Sequence, residues 1–149
     1  MKRLLPSIAF ITVILLSFDA FANMVGDSNE DFAIKNDTSA AITIPDNSFQ
    51  PDHGDFHYDN EEDGNIHMTL APDGGESDNI QLTHSSEHGE GTVEIGTGGC
   101  NISINYRDGA FGYHHFDTQS CSQYQISATS PGGYDTAVIS SNSKTIFNI

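Results

Sequence analysis

The chain of 149 residues sets 21 acidic side chains against 5 lysines and arginines, a formal charge of −16 at pH 7, and has no tryptophan. Proteins that hold nucleic acid or anionic lipid rely on Lys and Arg to neutralise phosphate and release its counterions. The composition therefore argues against both partners and admits a cation, a basic protein or a neutral glycan.

The first 22 residues read as a processing segment. Lys2 and Arg3 form a charged start, residues 4–18 are mostly apolar, and Ala20-Phe21-Ala22 supplies the small-x-small pattern of a secretory cleavage site. It resembles a bacterial export signal, so the expected location is the periplasm or the extracellular space. The apolar run is short for a bilayer span and no basic cluster follows it, so no integral membrane segment is expected after its removal. Cleavage after Ala22 takes away Lys2, Arg3 and Asp19. Residues 23–149 then form a single domain of 127 residues, with 3 basic and 20 acidic side chains and a formal charge of −17. That length supports a real but modest core.

Residues 23–30 have no periodicity and read as a loose lead-in. Phe32 and Ile34 alternate with Ala33 and Lys35, Asn36-Asp37 signals a turn, and Ile42 and Ile44 resume the alternation, together predicting a hairpin. Residues 45–64, PDNSFQPDHGDFHYDNEEDG, hold seven carboxylates and two histidines and read as an acidic loop. Ile66, Met68 and Leu70 share one face of the next strand. Pro72-Asp73-Gly74-Gly75 breaks it. Ile80 and Leu82 point inward before a second polar loop over 85–91, and Val93 and Ile95 follow. The cleanest strand covers 100–106, with Cys100, Ile102, Ile104 and Tyr106 on one face. Asp108-Gly109 is a two-residue hairpin signal. Taken literally, it pairs Tyr106 with Phe111, Ile104 with Tyr113 and Ile102 with His115, burying Phe111 and Tyr113 and turning His114 outward. Tyr124, Ile126 and Ala128 are in phase, Pro131-Gly132-Gly133 turns, and strands near 136–139 and 144–149 end the chain.

Short alternating runs between Gly, Pro and Asp turns predict an all-β fold. The expected form is an antiparallel β-sandwich, or small barrel-like sandwich, of about 8–10 strands. Cys100 and Cys121 are the only cysteines. Their spacing is unlike CxxC, so one structural disulfide is expected.

Within the acidic loop, Asp59, Glu61 and Asp63 followed by Gly64 match the first half of an EF-hand calcium loop. The twelfth position is Leu70 where a bidentate Glu belongs, so the pattern points to a looser oxygen cage for calcium. His53 and His57, with Asp55 between them and His67 on the adjoining strand, form an alternative donor set for zinc or copper. No GxSxG, HExxH or P-loop is present. Asn36-Asp37-Thr38 and Asn101-Ile102-Ser103 are glycosylation sequons. The expected function is non-enzymatic binding of a protein or neutral glycan through acidic, histidine-rich loops, with calcium assisting. The alternatives are a metal-dependent or carboxylate-driven hydrolase, and a surface-interaction protein whose acidic loops only solvate it.

Overall fold

The strand most legible in the sequence organises one of two packed sheets. The computed structural model describes residues 28–59, 61–62, 65–84, 88–96, 99–107, 112–130 and 135–142. The export segment, residues 23–27, Asp63, Gly64, the Asp108-Gly109 turn, Phe111, the Pro131–Gly133 turn and the strand expected at 144–149 lie outside the described residues. Strands are numbered in chain order: β1 (Ser28–Asn36), β2 (Ile42–Ile44), β3 (Phe49–His53), β4 (Asp55–Tyr58), β5 (Glu61–Glu62), β6 (Met68–Leu70), β7 (Gly75–Glu76), β8 (Ile80–His84), β9 (His88–Glu94), β10 (Asn101–Arg107), β11 (Tyr113–Gln119), β12 (Tyr124–Thr129) and β13 (Asp135–Ser141).

One sheet runs β11-β10-β9-β3. The larger runs β12-β13-β1-β8-β4-β5, with β7 also beside β1, and β2 and β6 form a separate ribbon. Among the described residues every pairing is antiparallel except β1 with β13, where Phe32 lies beside Asp135 and Asn36 beside Ile139. The expected all-β sandwich is present. Its described strands number thirteen rather than eight to ten, because the acidic segment contributes three. No helix among the described residues is long and apolar enough to cross a membrane.

Alternation built the core where it was regular. Ile102, Ile104 and Tyr106 of β10, Val93 and Ile95, Ile80 and Leu82, and Ile66, Met68 and Leu70 are all buried. Between the sheets, rings pass contact from layer to layer. Phe116 of β11 lies 5.8 Å from Phe32 of β1, Phe32 lies 6.3 Å from Phe56 of β4, and Phe56 lies 5.6 Å from Phe49 of β3. A Cβ on Gly91 would meet the Phe56 ring at 2.7 Å, so glycine on β9 leaves the space this ring fills.

The segment expected as a solvated loop is therefore mostly sheet. Phe49 and Phe56 are buried, and their burial holds β3 and β4 although most of their neighbours are polar. Gly54, at φ +107°, makes the crossing from β3 in one sheet to β4 in the other. A Cβ there would collide with Thr83 O at 2.1 Å. At the opposite edge β11 meets β12, where Thr118 Oγ1 donates to Ile126 O at 3.2 Å. The same edge carries the Cys100–Cys121 disulfide.

Two further expectations are corrected. β1 and β2 do not form a hairpin, because β1 pairs with β13, β8 and β7 while β2 pairs with β6. The cause is Asn36. Its Oδ1 accepts from Thr38 N at 2.9 Å and from Thr38 Oγ1 at 2.7 Å, an Asx-type turn. Its Nδ2 donates to Ala40 O, Leu70 O and Ala71 O, which directs the chain onto β6. Asn36 is also fully buried, which removes it as a glycosylation acceptor in the folded protein. Second, the β10–β11 connection is not a two-residue turn. Arg107 pairs with Tyr113, Tyr106 with His114, Ile104 with Phe116 and Ile102 with Thr118. The register stands three residues from the expected one, and an odd shift exchanges the two faces of a strand. Tyr113 is consequently 47% exposed, Phe116 packs against Phe32, and His114 faces the other sheet at its open end with its side chain 42% exposed.

Candidate metal centre

The corrected register places chemistry at one end of the sandwich. Going toward that end from the Phe32–Phe116 contact, the next inward positions are Glu30 on β1 and His114 on β11. The parallel register of β13 sets Asp135, its first residue, beside Phe32. Three strands from two sheets therefore deliver two carboxylates and an imidazole where the apolar interlayer stops.

His114 Nε2 lies 3.3 Å from Glu30 Oε1 and 3.0 Å from Asp135 Oδ2. The other oxygen of Asp135 accepts from Ser130 Oγ. The Asp135 side chain is 11% exposed and that of His114 42%, so the group is walled on the protein side and open to solvent on one flank. Both carboxylates approach the same ring nitrogen, which carries at most one proton and directs it along one line. Asp135 Oδ2 accordingly sits out of solvent without a hydrogen bond of good geometry. A buried carboxylate oxygen left this way is costly unless a cation neutralises it. Donor atoms around one tetrahedral zinc lie roughly 3.3 Å apart, given metal–ligand bonds of about 2.0–2.2 Å. The spacing at His114 is already close to that. Among the described residues this is the one group of three or more candidate ligands whose donor atoms all lie within 4.8 Å of one another.

The residues singled out in the sequence are distributed differently. Asp59 turns the chain between β4 and β5 at φ +47°, and Glu61 Oε2 lies 3.6 Å from His67 Nδ1 at the surface. Asp63 lies outside the described residues. His57, on β4, pairs with Gln81 and Glu62, and Asp55 pairs with Thr83. His53 leaves that set: its ring lies 5.0 Å from His88 and 6.3 Å from His84.

No known protein family matches the chain, and no curated protein matches its sequence.

Tyr58 reports on the acidic segment around it. Burial pushes its phenol above the ordinary value of 10.0, and the Asp78 and then the Asp59 carboxylates push it further. A hydrogen bond with the Asp78 backbone opposes them in part. The folded protein thus keeps this phenol neutral to higher pH than the unfolded chain does. Its contribution to stability is complete below about pH 10 and is lost as pH rises through the raised value. An ultraviolet alkaline titration should contain a component above the ordinary tyrosine range that Tyr58→Phe removes. A titration curve identical in shape after the substitution contradicts this assignment.

Proposed function

We propose that this is an exported, non-enzymatic binding protein that takes one divalent metal ion, zinc, at Glu30, His114 and Asp135. The observation that supports the reading is the convergence of three potential ligand atoms from β1, β11 and β13 around a buried carboxylate oxygen that lacks a hydrogen bond. The imidazole nitrogen decides the ion. Calcium takes oxygen ligands, usually six to eight, whereas one nitrogen and two carboxylate oxygens suit zinc. Three protein ligands leave a coordination position on the solvent flank, where a carboxylate or imidazole of a protein partner, or a glycan hydroxyl, completes the shell. The disulfide supports the exported setting. An open zinc position is also what a metal-dependent hydrolase uses. Turnover of ester or glycoside substrates by the zinc-loaded protein would move the assignment to that class.

Calorimetric titration tests the ion. One equivalent of zinc should bind at this centre, and it should raise the unfolding free energy by about 2.7 kcal/mol when free zinc stands a hundredfold above its dissociation constant. His114→Gln and Asp135→Asn should each remove that equivalent together with its stabilisation, and millimolar calcium should give none. Zinc heats unchanged in both variants would overturn the site.

A further inference from the structure

We propose a second transition-metal site at the same end of the sandwich, formed by the imidazoles of His53, His84 and His88. It is independent of the Glu30–His114–Asp135 centre and shares no residue with it.

The backbone brings these three together for structural reasons. Gly54 carries the chain from β3 over the end of β8, where its Cα sits against Thr83 O, so His53 at the end of β3 lies beside His84 at the end of β8. The β3–β9 pairing, irregular between Pro51 and His53, sets His53 opposite Glu90 and near His88 at the start of β9. The His53 ring is central, 5.0 Å from His88 and 6.3 Å from His84. Imidazoles sharing one tetrahedral ion have ring centres roughly 5 Å apart, as follows from nitrogen–metal bonds of about 2.0–2.1 Å. His53 and His88 already match this, and binding requires the His84 ring to move in toward them.

His88 Nε2 is the second observation. It is out of solvent with no hydrogen-bond partner, and Glu90 Oε2 stands 3.7 Å away. A ring nitrogen in that position is costly unless something occupies its lone pair or takes its proton. A metal ion does so, and Glu90 is placed to supply a fourth donor or a neutralising charge. Three imidazoles and a carboxylate suit Cu(II) or Zn(II), and affinity across the first-row divalent ions peaks at copper. Glu30–His114–Asp135 offers one nitrogen; this site offers three. That difference makes the two sites separable by spectroscopy.

Cu(II) is the probe, added to the full-length mature protein without a polyhistidine tag. Electron paramagnetic resonance should show one copper per chain coupled to three nitrogens. His53→Gln and His88→Gln should each remove one nitrogen coupling and weaken copper binding by at least about 100-fold, because loss of even an outer-shell partner costs about 10–100-fold. His114→Gln should leave the three-nitrogen signal in place. Circular dichroism of each variant confirms that the fold persists, and His53, exposed at a strand end, is the substitution least able to disturb it. A spectrum with one nitrogen, or a three-nitrogen spectrum that survives both His53→Gln and His88→Gln, overturns the site. A copper signal lost in His114→Gln alone would assign the ion to the first centre and likewise sink the second.

Discussion

Phe56→Ala should lower the unfolding free energy by about 3–5 kcal/mol, the cost of removing a fully buried aromatic ring and leaving its cavity. The ring is 0% exposed and is flanked by Phe32 and Phe49. Glycine at position 91 leaves space that β9 cannot close without moving backbone. The substitution falls inside residues 45–64, the most acidic part of the chain, so the result distinguishes two descriptions of that segment. If β3 and β4 are integral strands, Phe56 behaves as core. If the segment were a solvated loop, its removal would cost under about 0.5 kcal/mol, as surface changes do. Urea denaturation of the mature protein, with Gln50→Ala as an exposed control on β3, measures this. A loss near that of the control would contradict the topology.

The Cys100→Ala, Cys121→Ala double variant should lose about 3 kcal/mol. Closing a span of 21 residues constrains the unfolded chain by roughly that amount on loop-entropy reasoning. The bond ties the residue before β10, in one sheet, to the turn before β12, in the other. Cys100 is buried, and the turn at Cys121 is fixed by its N–H donating to Tyr124 O at 3.0 Å. Alanine rather than serine avoids burying an unpaired hydroxyl, so the measured loss belongs to the cross-link. A reductant should lower the melting temperature of the wild type toward that of the variant and leave the variant unmoved. Equal stability of the two proteins under oxidising conditions would contradict a structural role. The disulfide lies at the opposite end of β10 from Tyr106, the partner of His114, about 20 Å away at the rise of a β-strand. Zinc binding by the folded variant should therefore persist.

The parts of the fold that could be read from sequence are those with one face buried and the other wet. β10, β8 and β6 announce themselves because each alternates strictly between core and solvent, whereas the expected polar loop over 85–91 is corrected: β9 begins at His88, where Gly89 and Gly91 take the buried positions without an apolar side chain to mark them. The acidic segment hid two strands because each holds a single buried ring, Phe49 or Phe56, too few to establish a period. β1 begins at Ser28, four residues before the alternation that starts at Phe32. Asp31 and Glu30 look like a polar lead-in, but pairing with β8 extends the strand back to Ser28, and that pairing leaves no local mark. The contact between β1 and β13 joins opposite ends of the described chain, beyond any local pattern.

The candidate site was lost through the same causes, one residue at a time. Glu30 fell in the lead-in. Asp135 stood at a strand boundary without a neighbour to draw attention to it. His114 was turned outward by reading Asp108-Gly109 as a tight turn, when the connection from Arg107 to Tyr113 is longer and the odd shift exchanges faces. A signal was available: with the longer connection, Phe116 falls opposite Ile104 on the buried face, and His114 follows it inward. Carboxylate density, by contrast, drew attention to Asp59, Glu61 and Asp63. Of the residues proposed with them, the described structure brings together Glu61 and His67 at the surface.

The central claim is that Glu30, His114 and Asp135 hold a metal ion, and the most direct measurement is anomalous diffraction at the zinc edge from crystals grown with zinc. The account predicts one peak bonded to His114 Nε2, Glu30 Oε1 and Asp135 Oδ2, at about 2.0–2.2 Å from each. Density at those three side chains with no anomalous peak between them, and His114 hydrogen-bonded to a carboxylate instead, would contradict it.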